Sequence, residues 1–228
     1  MPLIIRWPNE VEPGLVREEM ISTIDLFPTI MEAVGTTAPA GLSGRSLLGL
    51  ARGQNMKWRE WIHAEFHAHY PPLYFPQRTI SDGRYKMIVN LLQDRPNPKA
   101  ACYVSPRSRW TCLRIGDIEA AQPKLQRAYA TWEDAPPVEL YDLHSDPHEL
   151  NNLADKPEFA SLQQRLDEQL RKWRRRTNDP LTDPKLLAKL TQENDTLRED
   201  YKMDVTFHWR YPKYLGPIHH DEQRGTTP

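Results

Sequence analysis

Glu139-Leu140-Tyr141-Asp142-Leu143, then Asp146-Pro147-His148-Glu149-Leu150-Asn151-Asn152-Leu153, then Pro157, is the most informative stretch of the chain. Val138 to Leu143 alternates and reads as a strand. Asp146 to Leu153 reads as a capped turn. Pro157 starts a long helix, in which Phe159, Leu162, Leu166, Leu170 and Trp173 recur at spacings of three and four and form an apolar stripe. The basic run Arg171 to Arg176 suits a helix C-terminus, and Asn178-Asp179-Pro180 stops it.

Upstream, Trp61 to Phe66, Arg78 to Ile80 and Tyr85 to Val89 read as three short strands. The last two are joined through Asp82-Gly83, a dipeptide favoured in tight hairpin turns. Residues 67–76 form a loop rich in Pro and aromatics, 94–112 read as irregular, and 115–132 as a weakly patterned helix. Residues 184–200 read as a further helix, and 201–228 as a polar, aromatic tail. Towards the N-terminus, residues 2–7 read as a buried strand ended by Pro8. A helix opens at Ser22-Thr23-Ile24-Asp25, with Ile24, Phe27, Ile30, Met31 and Val34 on one face and Gly35 as its C′ residue. Gly41 to Gly53 is a loop with the apolar run Leu47-Leu48-Gly49-Leu50.

The chain has 228 residues, 39% hydrophobic and 27% charged, which supports a core and argues against global disorder. Thirty basic against 31 acidic residues give a net charge of -1, so nothing points to nucleic acid or an anionic membrane surface. No apolar run approaches the roughly 20 residues of a membrane span. The N-terminus lacks the basic region and cleavage site of a signal peptide and reads as the middle of a globular protein. Cys102 and Cys112 leave a short-loop disulfide and two free thiols both open.

Several of these stretches together resemble the sulfatase family. Met1-Pro2-Leu3-Ile4-Ile5-Arg6-Trp7-Pro8 is similar to its "VPLIIRWPG" strand, and Ile24-Asp25-Leu26-Phe27-Pro28-Thr29 to its "D-L-x-P-T" helix start. Gly41-Leu42-Ser43-Gly44-Arg45-Ser46-Leu47 is similar to its "G-x-x-G-R-S-L" loop. Arg78-Thr79-Ile80 with Gly83-Arg84-Tyr85-Lys86-Met87-Ile88 resembles its strand pair, and Glu139 to Leu153 resembles "ELYDLxxDPxExxNL". Each is weak alone; five in the right order over residues 1–180 are specific. Tyr103-Val104-Ser105-Pro106 together with Asp146-Pro147-His148-Glu149, and Asn90-Leu91, look most like sulfamidases, the N-sulfoglucosamine sulfohydrolases.

The resemblance implies an α/β class: the end of an alkaline-phosphatase-like core followed by an α+β C-terminal subdomain. In that subdomain a small antiparallel sheet packs on the long helix. The division expected from it is 1–55 (last strand, helix and loop of the core), 56–180 (subdomain, with helix 157–176) and 181–228 (helix and tail). It also implies a formylglycine nucleophile, made from Cys or Ser in C/S-x-P-x-R, and a calcium ion that polarises the sulfate. Neither Cys102 nor Cys112 has Pro and Arg at those offsets. The family's acidic ligand pairs fall upstream of the region matched. No residue here is therefore assigned a catalytic or metal-binding role, and the chain alone is expected to be inactive.

Glu65-Phe66-His67-Ala68-His69-Tyr70 corresponds to a stretch that in the family lies near the pocket mouth. Glu65, His67 and His69 are candidates for contact with a sulfated sugar, by hydrogen bond or charge. The bland alternative is a polar loop. Arg78 could bind a carboxylate or sulfate through its fork, or serve as a structural ion pair. Arg45 reads as structural, His219-His220-Asp221 as an exposed cluster, and Arg171 to Arg176 as a solvated helix end. The expected partner of the full-length enzyme is a sulfated carbohydrate, in a periplasmic, secreted or lysosomal setting. Two competing readings are a free-standing carbohydrate-binding module and a subunit that complements a separately encoded N-terminal sulfatase half.

Overall fold

A computed structural model describes residues 2–104, 114–199 and 210–211. The chain divides into two compact units, one of residues 1–62 with 81–83, the other of 63–80 with 84–228.

The first unit is built around one carboxylate. A 3₁₀ turn at Thr23–Asp25 leads into α1 (Leu26–Ala33). Asp25 is fully buried. Its Oδ1 accepts from the Arg45 backbone N–H (2.8 Å) and Arg59 Nη2 (2.5 Å), and its Oδ2 from the Ser22 N–H (2.8 Å) and Arg59 Nη1 (2.6 Å). One turn later the Thr29 hydroxyl donates to the Asp25 carbonyl (2.5 Å) and accepts from the Leu47 N–H (2.8 Å). The Asp-Leu-x-Pro-Thr and Gly-x-x-Gly-Arg-Ser-Leu stretches are therefore two halves of one clasp. It carries Leu47 and α2 (Leu48–Ala51) into the buried interior of this unit. Burial alone would raise the Asp25 carboxyl, but the Arg59 guanidinium and the two N–H groups hold it below the usual carboxylate value.

Gly44 permits the close approach. A Cβ there would lie 2.0 Å from the Ile24 carbonyl oxygen. Gly44→Ala is expected to push the loop off the Thr23–Asp25 turn and cost about 1–3 kcal/mol, as overpacking does; chemical denaturation of the variant checks this. Gly35, at φ 74°, closes α1 as expected: its N–H bonds to Glu32 O (3.0 Å), and the Thr36 N–H to Met31 O (2.9 Å).

Residues 2–7, expected as a buried strand, are not one. The segment pairs with no described strand, and Ile4 is 91% exposed. An extended run becomes a strand only where a neighbour supplies the ladder. The periodic face of α1 is likewise uncovered, with Ile24, Phe27, Ile30 and Val34 all at least half exposed.

The second unit carries the sheet, in the order β1 (Ile62–Phe66), β2 (Gln77–Ser81), β3 (Tyr85–Asn90), β4 (Val138–Asp142). Gly83, at φ 94°, turns β2 into β3. β3 and β4 are antiparallel, with Met87 opposite Leu140 and Ile88 opposite Glu139. Ile80, Met87 and Leu140 are buried, and α6 (Ala160–Arg176) lies against β3 with Leu166 and Leu170 buried. This is the expected sheet on a long helix, the apolar stripe facing inward. The segment expected to be irregular contains α3 (Pro98–Tyr103), capped by Asn97, whose side chain accepts from the Lys99 N–H (3.1 Å). The expected 115–132 helix is two, α4 (Ile115–Glu119) and α5 (Pro123–Glu133), because Pro123 restarts the chain. α7 (Pro184–Glu199) closes a second cluster made by Tyr74, Phe75, Leu92, Leu181 and Leu190. Cys102 carries a free thiol; Cys112 lies outside the described residues, as does nearly all of the tail.

Candidate functional site

β1 delivers Glu65 and the residues that follow it, and neighbouring β2 delivers Arg78. Arg78 is completely buried. Its Nε and Nη2 donate to Asp179 at 2.9 and 2.7 Å, and its Nη1 donates to the Gln77 carbonyl at 2.9 Å. Asp179 also accepts from Arg174 Nε (2.6 Å) and the Leu181 N–H (3.0 Å). Local geometry places it there. Asn178 takes φ 51° at the end of α6, and the Asp179 N–H returns to the Arg174 carbonyl at 2.9 Å. Asp179 thus sits between two guanidinium groups. Burial would raise its carboxyl, but Arg78 and Arg174 hold it down to about 2.

Around this pair stand the other sequence candidates. Glu65 is exposed, with Oε2 3.6 Å from Arg78 Nη2. His67 is half-buried; burial first, and the Arg78 charge second, lower its imidazole pKa, against the opposing pull of Glu65 and Asp179. Its Nε2 is buried without a partner among the described residues. His69 is exposed and stands edge-on to Tyr70, ring centroids 5.6 Å apart. The structure therefore brings Glu65, His67 and Arg78 into one electrostatic group and leaves His69 on the adjoining loop. The Arg78 fork is taken up by Asp179, so the exposed member of this group is the Glu65 side chain, with the half-buried His67 beside it. Sequence reading missed Asp179 and Arg174 as members. Asn178-Asp179-Pro180 reads in the sequence only as a helix stop, because the guanidinium that Asp179 meets lies 101 residues away.

His63, at the other end of β1, stacks on Trp173 (5.0 Å, 7° between planes). Burial, then the Arg176 charge, lower it from 6.5 to about 4. A histidine depressed on folding costs stability once the unfolded chain can protonate and the folded one cannot. Stability is therefore expected to fall as pH drops from about 6.5 towards 4. Thermal denaturation across that range should show a flatter slope for His63→Gln; an unchanged slope would remove His63 as its source.

The calcium ion implied by the resemblance does not fit these residues. It requires several oxygen ligands. The Asp25 and Asp179 carboxylates are occupied by guanidinium groups, and no group of three His, Cys, Asp or Glu side chains among the described residues is arranged to hold a metal.

Comparison with known proteins agrees with the motif order. The sequence model described as N-sulphoglucosamine sulphohydrolase, C-terminal, matches residues 1–95 and 114–176. Human N-sulphoglucosamine sulphohydrolase is 32% identical over 203 residues, covering 76% of this chain and 38% of that protein. An ulvan-active sulfatase of Formosa agariphila is 30% identical over 202 residues, covering 86% of this chain and 32% of its own length. The chain thus spans about a third of the length of the curated relatives it matches. A protein solved in complex with its substrate, D-glucosamine-2-N,6-O-disulfate, superimposes with a TM-score of 0.50 at 20% identity, over 78% of this chain and 29% of that one, which supports the fold. Matched over more than half of its residues, the chain belongs to the N-sulphoglucosamine sulphohydrolase C-terminal family and so to the sulfatases.

Proposed function

We propose that this chain is the C-terminal part of an enzyme that hydrolyses sulfate esters or sulfamates on sugars, with formylglycine and calcium supplied by the remaining part of that enzyme. The family match across both units carries the reading. In it, residues 1–55 complete the α/β core, and the Glu65–His67 end of β1 borders the sugar site.

The exposed apolar surface of the first unit supports this role. Ile4, Ile30 and Val34 are 91, 60 and 66% exposed. A hollow of about 920 Å³ opens between residues 2–21 and the Leu47–Ala51 region, walled by Leu3, Ile5, Trp7, Val11 and Leu15. Large apolar side chains left exposed in such number suit a surface that another body covers. A core sheet adding residues 2–7 as its next strand, with α1 laid on that sheet, would cover both features.

A chimera tests the reading. The matching C-terminal third of human N-sulphoglucosamine sulphohydrolase is replaced by this chain, and sulfate release from N-sulfoglucosamine is measured. Activity in the chimera, and none from the chain alone, is the expected result. Turnover by the chain alone would overturn the proposal, as would a folded, calcium-loaded and formylglycine-bearing chimera with no sulfate release. Within an active chimera, Glu65→Gln and His67→Gln are expected to raise KM.

A further inference from the structure

The sheet has a second, polar face. The β3–β4 register sets Ile88 opposite Glu139 and Lys86 opposite Tyr141, so these residues share one side, away from Met87 and Leu140. On that side a chain of hydrogen bonds crosses three strands. Lys99 Nζ donates to Gln77 Oε1 (2.9 Å), Gln77 Nε2 to Asn90 Oδ1 (2.6 Å), and Asn90 Nδ2 to Glu139 Oε1 (2.8 Å). The Tyr141 hydroxyl donates to Glu139 Oε2 (2.6 Å). The relay opens into a cavity of about 530 Å³ bounded by Gln77, Glu139 and Tyr141 on the sheet and by Tyr129 and Trp132 on α5.

Three observations point to a ligand. First, Glu139 is only 8% exposed, and its two oxygens accept from Asn90 and Tyr141 rather than from a guanidinium or ammonium group; the Lys99 ammonium feels its charge but bonds to Gln77. A carboxylate in such a place is costly unless its remaining lone pairs are used, and each Glu139 oxygen accepts only one bond. Second, the helical wall sets two aromatic rings, Tyr129 and Trp132, edge-on at 5.8 Å between centroids, among Ile118, Leu125 and Ala128. Aromatic faces beside a carboxylate suit a cation carried on an apolar framework. Third, the volume falls in the range of small-molecule sites, with a few converging polar groups in a mostly apolar wall. Asp117 and Glu149 also line the cavity; with Lys86 paired to Glu149 at 2.7 Å and Lys99 at the head of the relay both counted, carboxylates still outnumber ammonium groups, which disfavours sulfate and phosphate.

We propose that this cavity binds an unsulfated amino sugar, its ammonium group on Glu139 and its ring against Tyr129 and Trp132. The site is separate from the Glu65–His67–Arg78 group. The choice of a sugar over other ammonium compounds rests on the sulfated-sugar reading above; the ammonium preference does not. Binding of D-glucosamine, N-acetylglucosamine, N-sulfoglucosamine and choline to the full chain is to be measured by Trp fluorescence and ligand-observed NMR. Saturable D-glucosamine binding is expected, weakened about tenfold or more when the amine is acetylated or sulfated, and by a similar factor in Trp132→Ala. Glu139→Gln should abolish the preference for the free amine. If that variant fails to fold, Trp132→Ala decides. No saturable binding, equal binding of the sulfated sugar, choline binding without glucosamine binding, or full binding by a folded Trp132→Ala each overturns the proposal. Hydrolysis is not read, so an inactive chimera together with tight glucosamine binding would remove the enzymatic reading and leave this one standing.

Discussion

Asp179→Ala is expected to destabilise the second unit by about 3–5 kcal/mol, the range for breaking a buried ion pair by removing one partner. Arg78 is the reason. It has no exposure, and its fork spans both Asp179 oxygens, so truncation leaves a permanently charged guanidinium in the interior. Arg174 and the Leu181 N–H lose their acceptor in the same step. Chemical denaturation gives the size of the loss; a change below about 1 kcal/mol, the usual value of a surface pair, would show that the pair is effectively solvated. Replacing Arg78 and Asp179 together with leucines should recover part of the loss, because the buried Arg78 charge goes, while Arg174 and the Leu181 N–H stay without their acceptor. The pH dependence has a definite sign. The folded pKa is depressed from 3.8 to about 2, so the stabilisation is complete above about 4 and is lost as pH falls towards 2. The parent chain should lose stability in that window, and the double leucine variant should lose less.

Asp25→Ala is expected to have a comparable effect on the first unit, again about 3–5 kcal/mol. One side chain there accepts from two backbone N–H groups and from both terminal nitrogens of Arg59. Without it the 3₁₀ turn, the Gly44–Arg45 loop and the Trp58–Arg59 segment lose their common anchor. Asp25→Asn should recover little, since an amide turns one acceptor into a donor facing donors. Hydrogen exchange locates the effect: amides of α1 and α2 should lose protection first. Unchanged protection there would mean that apolar packing, not the carboxylate, holds this unit.

Much of the architecture was legible because it is encoded locally. The stripe from Phe159 to Trp173, the Asp82-Gly83 turn and Gly35 each specify their structure within a few residues. The errors share a cause in partners distant along the chain. Residues 2–7 have strand composition, but a ladder requires a neighbour, and none of the described strands is one. Arg78 read as either a ligand for an anion or an ion pair; its partner lies 101 residues on, beyond the reach of any spacing rule. Asp25 was legible as a first-turn acid, but not as the hub of a loop 20 residues later. Of the candidate site, the order Glu65, His67, His69 was visible from type and spacing. Which of them stand beside a buried charge was not.

The clasp on Asp25 also frees the segment it spans. Both ends of residues 36–42 are fixed, by Gly35 and the bonds after α1 on one side and by Gly44 and Arg45 on the other, while every residue between them except Ala38 is exposed. Lengthening a connection whose ends are already held costs only about 0.6 kcal/mol per doubling. This stretch is therefore a natural point for carrying an epitope tag, a fluorophore or an entire inserted domain without disturbing the parts that fold around it.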